Sequence, residues 1–181
     1  TAIFILFFFN LSADIIKSLN VVGNDRISDE TIKVYGEINL GEDYSSFDID
    51  KILKNLYKTE FFEDVKISLS NGILDIDVKE YPIINYIDFQ GESSNQVKKS
   101  ILEKLKLKSK ESFIENKLSE DINLIKKMYA TIGFNFASVE AKIEKFDEKR
   151  INLIYTLDKG KKTNIAKINF IGDKKIKEKR L

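Results

Sequence analysis

Cysteine and histidine are both missing from the 181 residues, and proline occurs once, at Pro82. Without cysteine there is no disulfide, no thiolate nucleophile and no thiolate metal site, a composition compatible with an oxidising compartment. Without histidine the commonest general base and the commonest metal ligand are gone, so any bond chemistry would fall to carboxylates, lysines and tyrosines. An excess of one charge is missing as well. Thirty basic and twenty-nine acidic residues leave a net charge of +1, which supplies no global field to draw in nucleic acid. These absences favour binding over catalysis: no enzyme activity, cofactor, metal site or nucleic-acid partner is expected.

Only one long apolar run is present, Ile3-Phe4-Ile5-Leu6-Phe7-Phe8-Phe9. It is too short to span a bilayer. With Asn10-Leu11-Ser12-Ala13 after it, the run suits the h-region and cleavage site of a secretory signal, so residues 1–13 are expected to be a partial signal peptide and the mature chain to begin near Asp14. A strand buried on both faces is the alternative for this run.

What the chain does have is repetition. Leu19-Asn20-Val21-Val22-Gly23-Asn24, Ile87-Asp88-Phe89-Gln90-Gly91-Glu92 and Ile168-Asn169-Phe170-Ile171-Gly172-Asp173 are three short alternating strands, each closed by a glycine that frees the backbone to leave the strand. Two helical patterns follow the first glycine and two follow the second. Ser28 caps the first helix with Asp29 and Glu30 in its opening turn, where the helix dipole favours them, and Ile32, Tyr35 and Ile38 follow. Ile49, Ile52, Leu53, Leu56 and Tyr57 make one apolar stripe on the second. In the second copy the helices are marked by Val97, Ile101, Leu102 and Leu105, then by Leu118, Ile122, Ile125 and Tyr129.

Each second helix ends in a matching corner, Tyr57 to Phe62 and Tyr129 to Phe134, whose tyrosines and phenylalanines are expected in the core. Two alternating strands follow each corner. Val65, Ile67 and Leu69 face Leu74, Ile76 and Val78 across the turn Ser70-Asn71-Gly72; Val139, Ala141 and Ile143 face Ile151, Leu153, Tyr155 and Leu157 across a charged loop. Asp75 and Asp77 fall on the solvated side of the first hairpin and are expected to be surface charge, not a cation site.

Strands with one apolar face and helices with one apolar stripe combine economically as an α+β module, β-α-α-β-β, with a three-stranded mixed sheet and both helices on one face. The expected organisation is a module at 14–80, a second at 81–160, and the truncated start of a third at 161–181. The basic run Lys174 to Arg180 reads as the beginning of that third module's first helix. Tyr81-Pro82 and Lys159-Gly160 are the expected hinges between modules. A core of about 70 residues is marginal by surface-to-volume scaling, so deep clefts are not expected and binding surfaces suit it better.

The ordered set Gly23-Asn24, Phe61-Phe62-Glu63-Asp64-Val65, Val78-Lys79-Glu80-Tyr81-Pro82-Ile83-Ile84 and Gly91 resembles the polypeptide-transport-associated (POTRA) repeats of the BamA family of outer-membrane assembly proteins. Tyr129, Gly133-Phe134 and Ala137-Ser138-Val139 are similar to the same corner in the second copy. The resemblance spans residues 14–181, and Lys159-Gly160 departs from it, standing where that family often has an acidic residue before glycine. It implies a periplasmic region of an outer-membrane protein that inserts β-barrels. It also implies unfolded barrel proteins as clients, periplasmic chaperones and assembly lipoproteins as partners, and a C-terminal barrel of its own.

By the same resemblance, the working edge of each sheet is its first hairpin strand: Val65, Lys66, Ile67, Ser68 and Leu69 in one copy, and Val139, Glu140, Ala141, Lys142 and Ile143 in the other. An edge offers unpaired backbone groups to an added strand. The same strands also fit a plainer description, as solvated edges guarded by Lys66, Lys142 and Glu140. Two further functions stay open. One is the transport-associated region of a two-partner secretion pore or translocation factor, against which the start of a third module argues. The other is a division-site scaffold of the FtsQ type, against which the tandem copies argue.

Overall fold

The glycine-ended strands and the striped helices fold in the order their patterns require. The computed structural model describes residues 14–164. The expected signal segment, the third glycine-ended strand and the basic run Lys174 to Arg180 lie outside the described residues. Two packed units are present. The first holds the described residues up to Tyr86 with 107–114 and 145–151; the second holds 87–106, 115–144 and the described residues from Asn152 onward.

In the first unit, β1 (Asp14–Ile15) pairs with β3 (Asp43–Tyr44) as a two-residue antiparallel ribbon, too short to leave a periodic signal in the sequence. The main sheet has the order β2-β5-β4, from β2 (Ser18–Val22), β5 (Ile73–Glu80) and β4 (Phe62–Ser70). β2 runs parallel to β5 and β4 antiparallel, so the sheet is mixed. Between them lie α1 (Asp29–Gly36) and α2 (Ser46–Lys58). The Ser28 side chain accepts from the Thr31 N–H, and Ser45 and Asp48 close a reciprocal capping box on α2, so both helix starts satisfy amides that have no partner within the helix.

Ile32, Ile52 and Leu56 from the helices pack with Val65, Leu74, Ile76 and Val78 from the strands, which puts both helices on one face of the sheet. The opposite face is polar. There the Asn20 side-chain amide donates to Asp75 at 2.8 Å, and Asp77 is exposed. Ile38 is buried but lies beyond α1, because the helix stops at Gly36 and Glu37 turns left-handed at φ 56°, donating to the Lys33 and Val34 carbonyls. Tyr35 is exposed, with its ring edge-on to Phe61.

The second sheet has the order β6-β8-β7, from β6 (Ile83–Gln90), β8 (Arg150–Asp158) and β7 (Ser138–Lys145), with α3 (Asn95–Lys104) and α4 (Glu115–Thr131) in the connection. Phe89 stacks on Tyr155 at 5.5 Å, and Ile101, Ile125, Leu153 and Leu157 are buried. Alternation predicts only one buried face for β8, yet Asn152 and Ile154 are buried as well as Ile151, Leu153 and Tyr155. The apolar stripe of α4 also contains a buried carboxylate, Asp121, whose Oδ1 accepts the Lys106 N–H at 2.7 Å and fastens the segment after α3.

Candidate functional site: the free sheet edges

β4 and β7 each lie at the edge of a three-stranded sheet. Which of their backbone groups face outward follows from the hairpins. Asn71 and Gly72 both have positive φ, 53° and 82°, as a two-residue type I′ turn requires. Such a turn is closed by a hydrogen-bonded pair, Ser70 with Ile73. Antiparallel pairs alternate between bonded and non-bonded, so Ser68–Asp75 and Lys66–Asp77 are bonded, while Leu69–Leu74, Ile67–Ile76 and Val65–Val78 are not. The N–H and C=O groups of Val65, Ile67 and Leu69 therefore point away from the sheet, and those of Lys66 and Ser68 point into it. Just after β7 the Phe146 N–H donates to the Arg150 carbonyl at 2.9 Å. Counted back from that pair, regular alternation predicts Val139, Ala141 and Ile143 outward and Glu140 and Lys142 inward.

The lysines of these strands are exposed and paired within their own strand. Lys66 pairs with Asp64 at 3.6 Å and Lys142 with Glu144 at 2.8 Å, each two residues along the same strand. Glu144 first, by hydrogen bonding and then by charge, holds the Lys142 ammonium above its ordinary value.

The two corner tyrosines differ, which corrects the expectation that both are core. Tyr129 is 2% exposed, but Tyr57 is 41% exposed. The Tyr57 hydroxyl reaches the edge strand, accepting the Val65 N–H at 3.2 Å and donating to Asp64 Oδ1 at 3.4 Å. In the first sheet the register with β5 shifts between Phe62 and Asp64, next to the residues the Tyr57 hydroxyl reaches. The neighbouring threonines behave alike, Thr59 donating to the Leu56 carbonyl and Thr131 to the Met128 carbonyl.

The glycine-ended strands meet the last strands of their sheets at equivalent points. A Cβ on Gly23 would stand 2.0 Å from the Val78 carbonyl oxygen, and one on Gly91 would stand 1.9 Å from that of Leu157. Counting on from those carbonyls makes Glu80 and Lys159 equivalent, and the two joints are built with opposite polarity. In the first, the Glu80 carboxylate, with its side chain 7% exposed, accepts the N–H groups of Asp25, Arg26 and Ile27 at 2.9–3.1 Å and pairs with Arg26 Nε at 2.8 Å. In the second, the carboxylate comes from the loop: Glu92, 1% exposed, accepts Ser94 N–H at 2.8 Å, the Tyr129 hydroxyl at 2.5 Å and Lys159 Nζ at 3.0 Å. The basic residue before Gly160 thus has its counter-charge in Glu92. Burial pushes the Glu92 carboxyl up, but hydrogen bonds from Tyr129, Ser94 and Lys159 outweigh it and hold the group at about 2. Burial first, and then Glu92, push the Tyr129 phenol up.

The expected hinge residues are held by backbone bonds. Tyr81 N–H donates to the Phe61 carbonyl at 2.9 Å and its own carbonyl accepts from Arg26, while the Pro82 carbonyl accepts Phe113 N–H at 2.8 Å. Gly160 sits at φ 62° and its N–H donates to Asp158. Sequence reasoning singled out neither Glu92 nor the Tyr57 hydroxyl. A carboxylate after a glycine reads as loop, and helical spacing gives Tyr57 and Tyr129 the same place.

Among the described residues no cluster of acidic side chains could hold a metal ion, and no helix is long and apolar enough to cross a membrane. Two β-α-α-β-β sheets with open edges define a tandem scaffold. Residues 82–160 match the family model described as POTRA, surface antigen variable number repeat. The chain is 27% identical over 168 residues to the outer membrane protein assembly factor BamA of Neisseria meningitidis serogroup B, covering 92% of this chain and 21% of that protein. It is 23% identical over 162 residues to BamA of Neorickettsia risticii, covering 89% and 22%. The N-terminal domain of Omp85 from Thermosynechococcus elongatus shares the fold, with a TM-score of 0.52 at 14% identity over 80% of this chain and 63% of that one. Residues 82–160 thus match the POTRA family model and the chain is similar to BamA proteins over most of its length, while it spans about a fifth of the length of the curated relatives it matches.

Proposed function

We propose that this region works in the periplasm as the strand-receiving arm of an outer-membrane barrel-assembly protein. Unfolded barrel proteins add to β4 and β7 by main-chain pairing, with little demand on their sequence. The outward backbone groups at the sheet edges carry this reading, namely those of Ile67 and Leu69 in β4 and of Val139, Ala141 and Ile143 in β7. Each edge is short, so each contact is weak. Edges in series gain through effective concentration, which holds a client without trapping it. Periplasmic chaperones and assembly lipoproteins deliver and share the client, and the family's C-terminal barrel is where it is inserted. The relatives' name, outer membrane protein assembly factor, supports this role.

Proline substitution tests the reading because it removes one N–H and leaves the rest of the strand in place. Ala141→Pro and Ile67→Pro each delete an outward amide that the β-ladder does not use. Both should fold, and both should lower photo-cross-linking between the edge and a nascent barrel protein severalfold. Ser68→Pro deletes an inward amide and should instead disrupt the first sheet. Cross-linking that is unchanged in a folded Ala141→Pro protein would count against the proposal.

A further inference from the structure

We infer that Tyr57 is a built-in stop that fixes how far a client strand can pair along β4. The inference rests on the edge-pairing reading above and adds a residue that sets its register. Of the three outward amides of β4, the first belongs to Val65, and its N–H is donated to the Tyr57 hydroxyl at 3.2 Å. An added strand would present a carbonyl oxygen to that same N–H at hydrogen-bonding distance. The tyrosine oxygen therefore occupies the place of a client carbonyl.

Three observations converge on this role. The hairpin parity, worked out from the Asn71-Gly72 turn, independently turns Val65 outward. The hydroxyl is anchored on its other side by donating to Asp64 Oδ1, so it presents a lone pair to Val65. The ring is 41% exposed at the edge, where a docking strand would meet it. An incoming strand can pair at Ile67 and Leu69 but must displace Tyr57 to go further. The equivalent Tyr129 is turned inward onto Glu92, so Tyr129 places no such stop at the start of β7. The two edges accept different lengths of strand, β4 the shorter.

Tyr57→Phe removes the stop and keeps the ring. Amide exchange followed by NMR, with and without a soluble peptide of alternating valine and threonine flanked by lysines, separates the outcomes. In the free protein, the substitution should speed exchange at Val65 by roughly tenfold, while Ile67 and Leu69 are unchanged. In the native protein the peptide should protect Ile67 and Leu69 only; in the variant it should protect Val65 too and bind roughly three- to tenfold more tightly, the scale of one net hydrogen bond. Equal exchange at Val65 in both free proteins would overturn the stop. So would faster exchange at Val65 with peptide protection still confined to Ile67 and Leu69, and that result would leave edge pairing intact. Faster exchange at Val65 with no amide protected by peptide in either protein would overturn edge pairing, and the register role with it.

Discussion

Gly91→Ala should unfold the second unit at neutral pH. The position has φ +84°, where an L-residue is strained by about 1–3 kcal/mol. The added Cβ would stand 1.9 Å from the Leu157 carbonyl oxygen. That oxygen is backbone in the central strand, so no side-chain rotation relieves the overlap. β6 and β8 must separate or the chain must leave the strand elsewhere, and a cost of roughly 4 kcal/mol or more is expected. Gly23→Ala should do the same to the first unit, at 2.0 Å from the Val78 carbonyl oxygen. Gly41 is the control. It has φ +89° but nothing within 4 Å of its added Cβ, so Gly41→Ala should cost only about 1 kcal/mol. Urea unfolding followed through the amide signals of β8 and β5 separates the three. Equal effects at Gly41 and Gly91 would show that φ, and not the carbonyl overlap, dictates glycine.

Lys159→Ala should destabilise the second unit by about 1–2 kcal/mol, below the scale of a fully buried ion pair because the Lys159 side chain is 32% exposed while that of Glu92 is buried. Glu92 stays behind with its Ser94 and Tyr129 donors but no cation. The pH dependence gives a sharper test. The Glu92 carboxyl is held at about 2 in the folded chain, below its ordinary 4.5. A depressed carboxylate contributes stability that is fully present above the unfolded value and is lost as pH falls through the folded one. The contribution of Glu92 should therefore be complete above about pH 4.5 and fade between there and about pH 2. Glu92→Gln should be less stable than the native protein at pH 7, and the gap should close across that window. In Lys159→Ala the folded value rises toward 4.5, so the fading should still begin near pH 4.5 but be smaller and finish at a higher pH than in the native protein. A gap between Glu92→Gln and the native protein that stays constant from pH 7 to 2.5 would contradict the account of this joint.

The sequence shows the strands because their signals are local. Asn71-Gly72 between alternating runs can hardly be read otherwise, and both residues take the positive φ that the turn needs. Gly23 and Gly91 are legible as strand ends, although only the fold reveals the carbonyls that press on them. What stayed hidden is non-local. Glu92 and Lys159 are 67 residues apart, and nothing near either one announces the other. The joint's reversed polarity is visible only when Glu80 and Lys159 are aligned through the carbonyls of Val78 and Leu157. Tyr57 and Tyr129 share a helical position, and only the fold shows that one hydroxyl meets the edge strand while the other meets Glu92. The edge positions of β4 and β7 come from sheet order, which hairpin pattern alone does not set, since the parallel first strand could have paired on either side.

Sheet order and hairpin parity together give the edges a signature that no other mode of binding shares. A client that pairs by main chain bonds to alternate residues of the strand it joins. A client that lies on the side chains makes no such distinction. The most direct measurement is amide exchange along β4 and β7 in the presence of an unfolded outer-membrane barrel protein. The account predicts slowed exchange at Ile67, Leu69, Val139, Ala141 and Ile143, with Lys66, Ser68, Glu140 and Lys142 no slower than in the free chain. Protection of neighbouring amides without alternation, or protection confined to α1–α4, would contradict it.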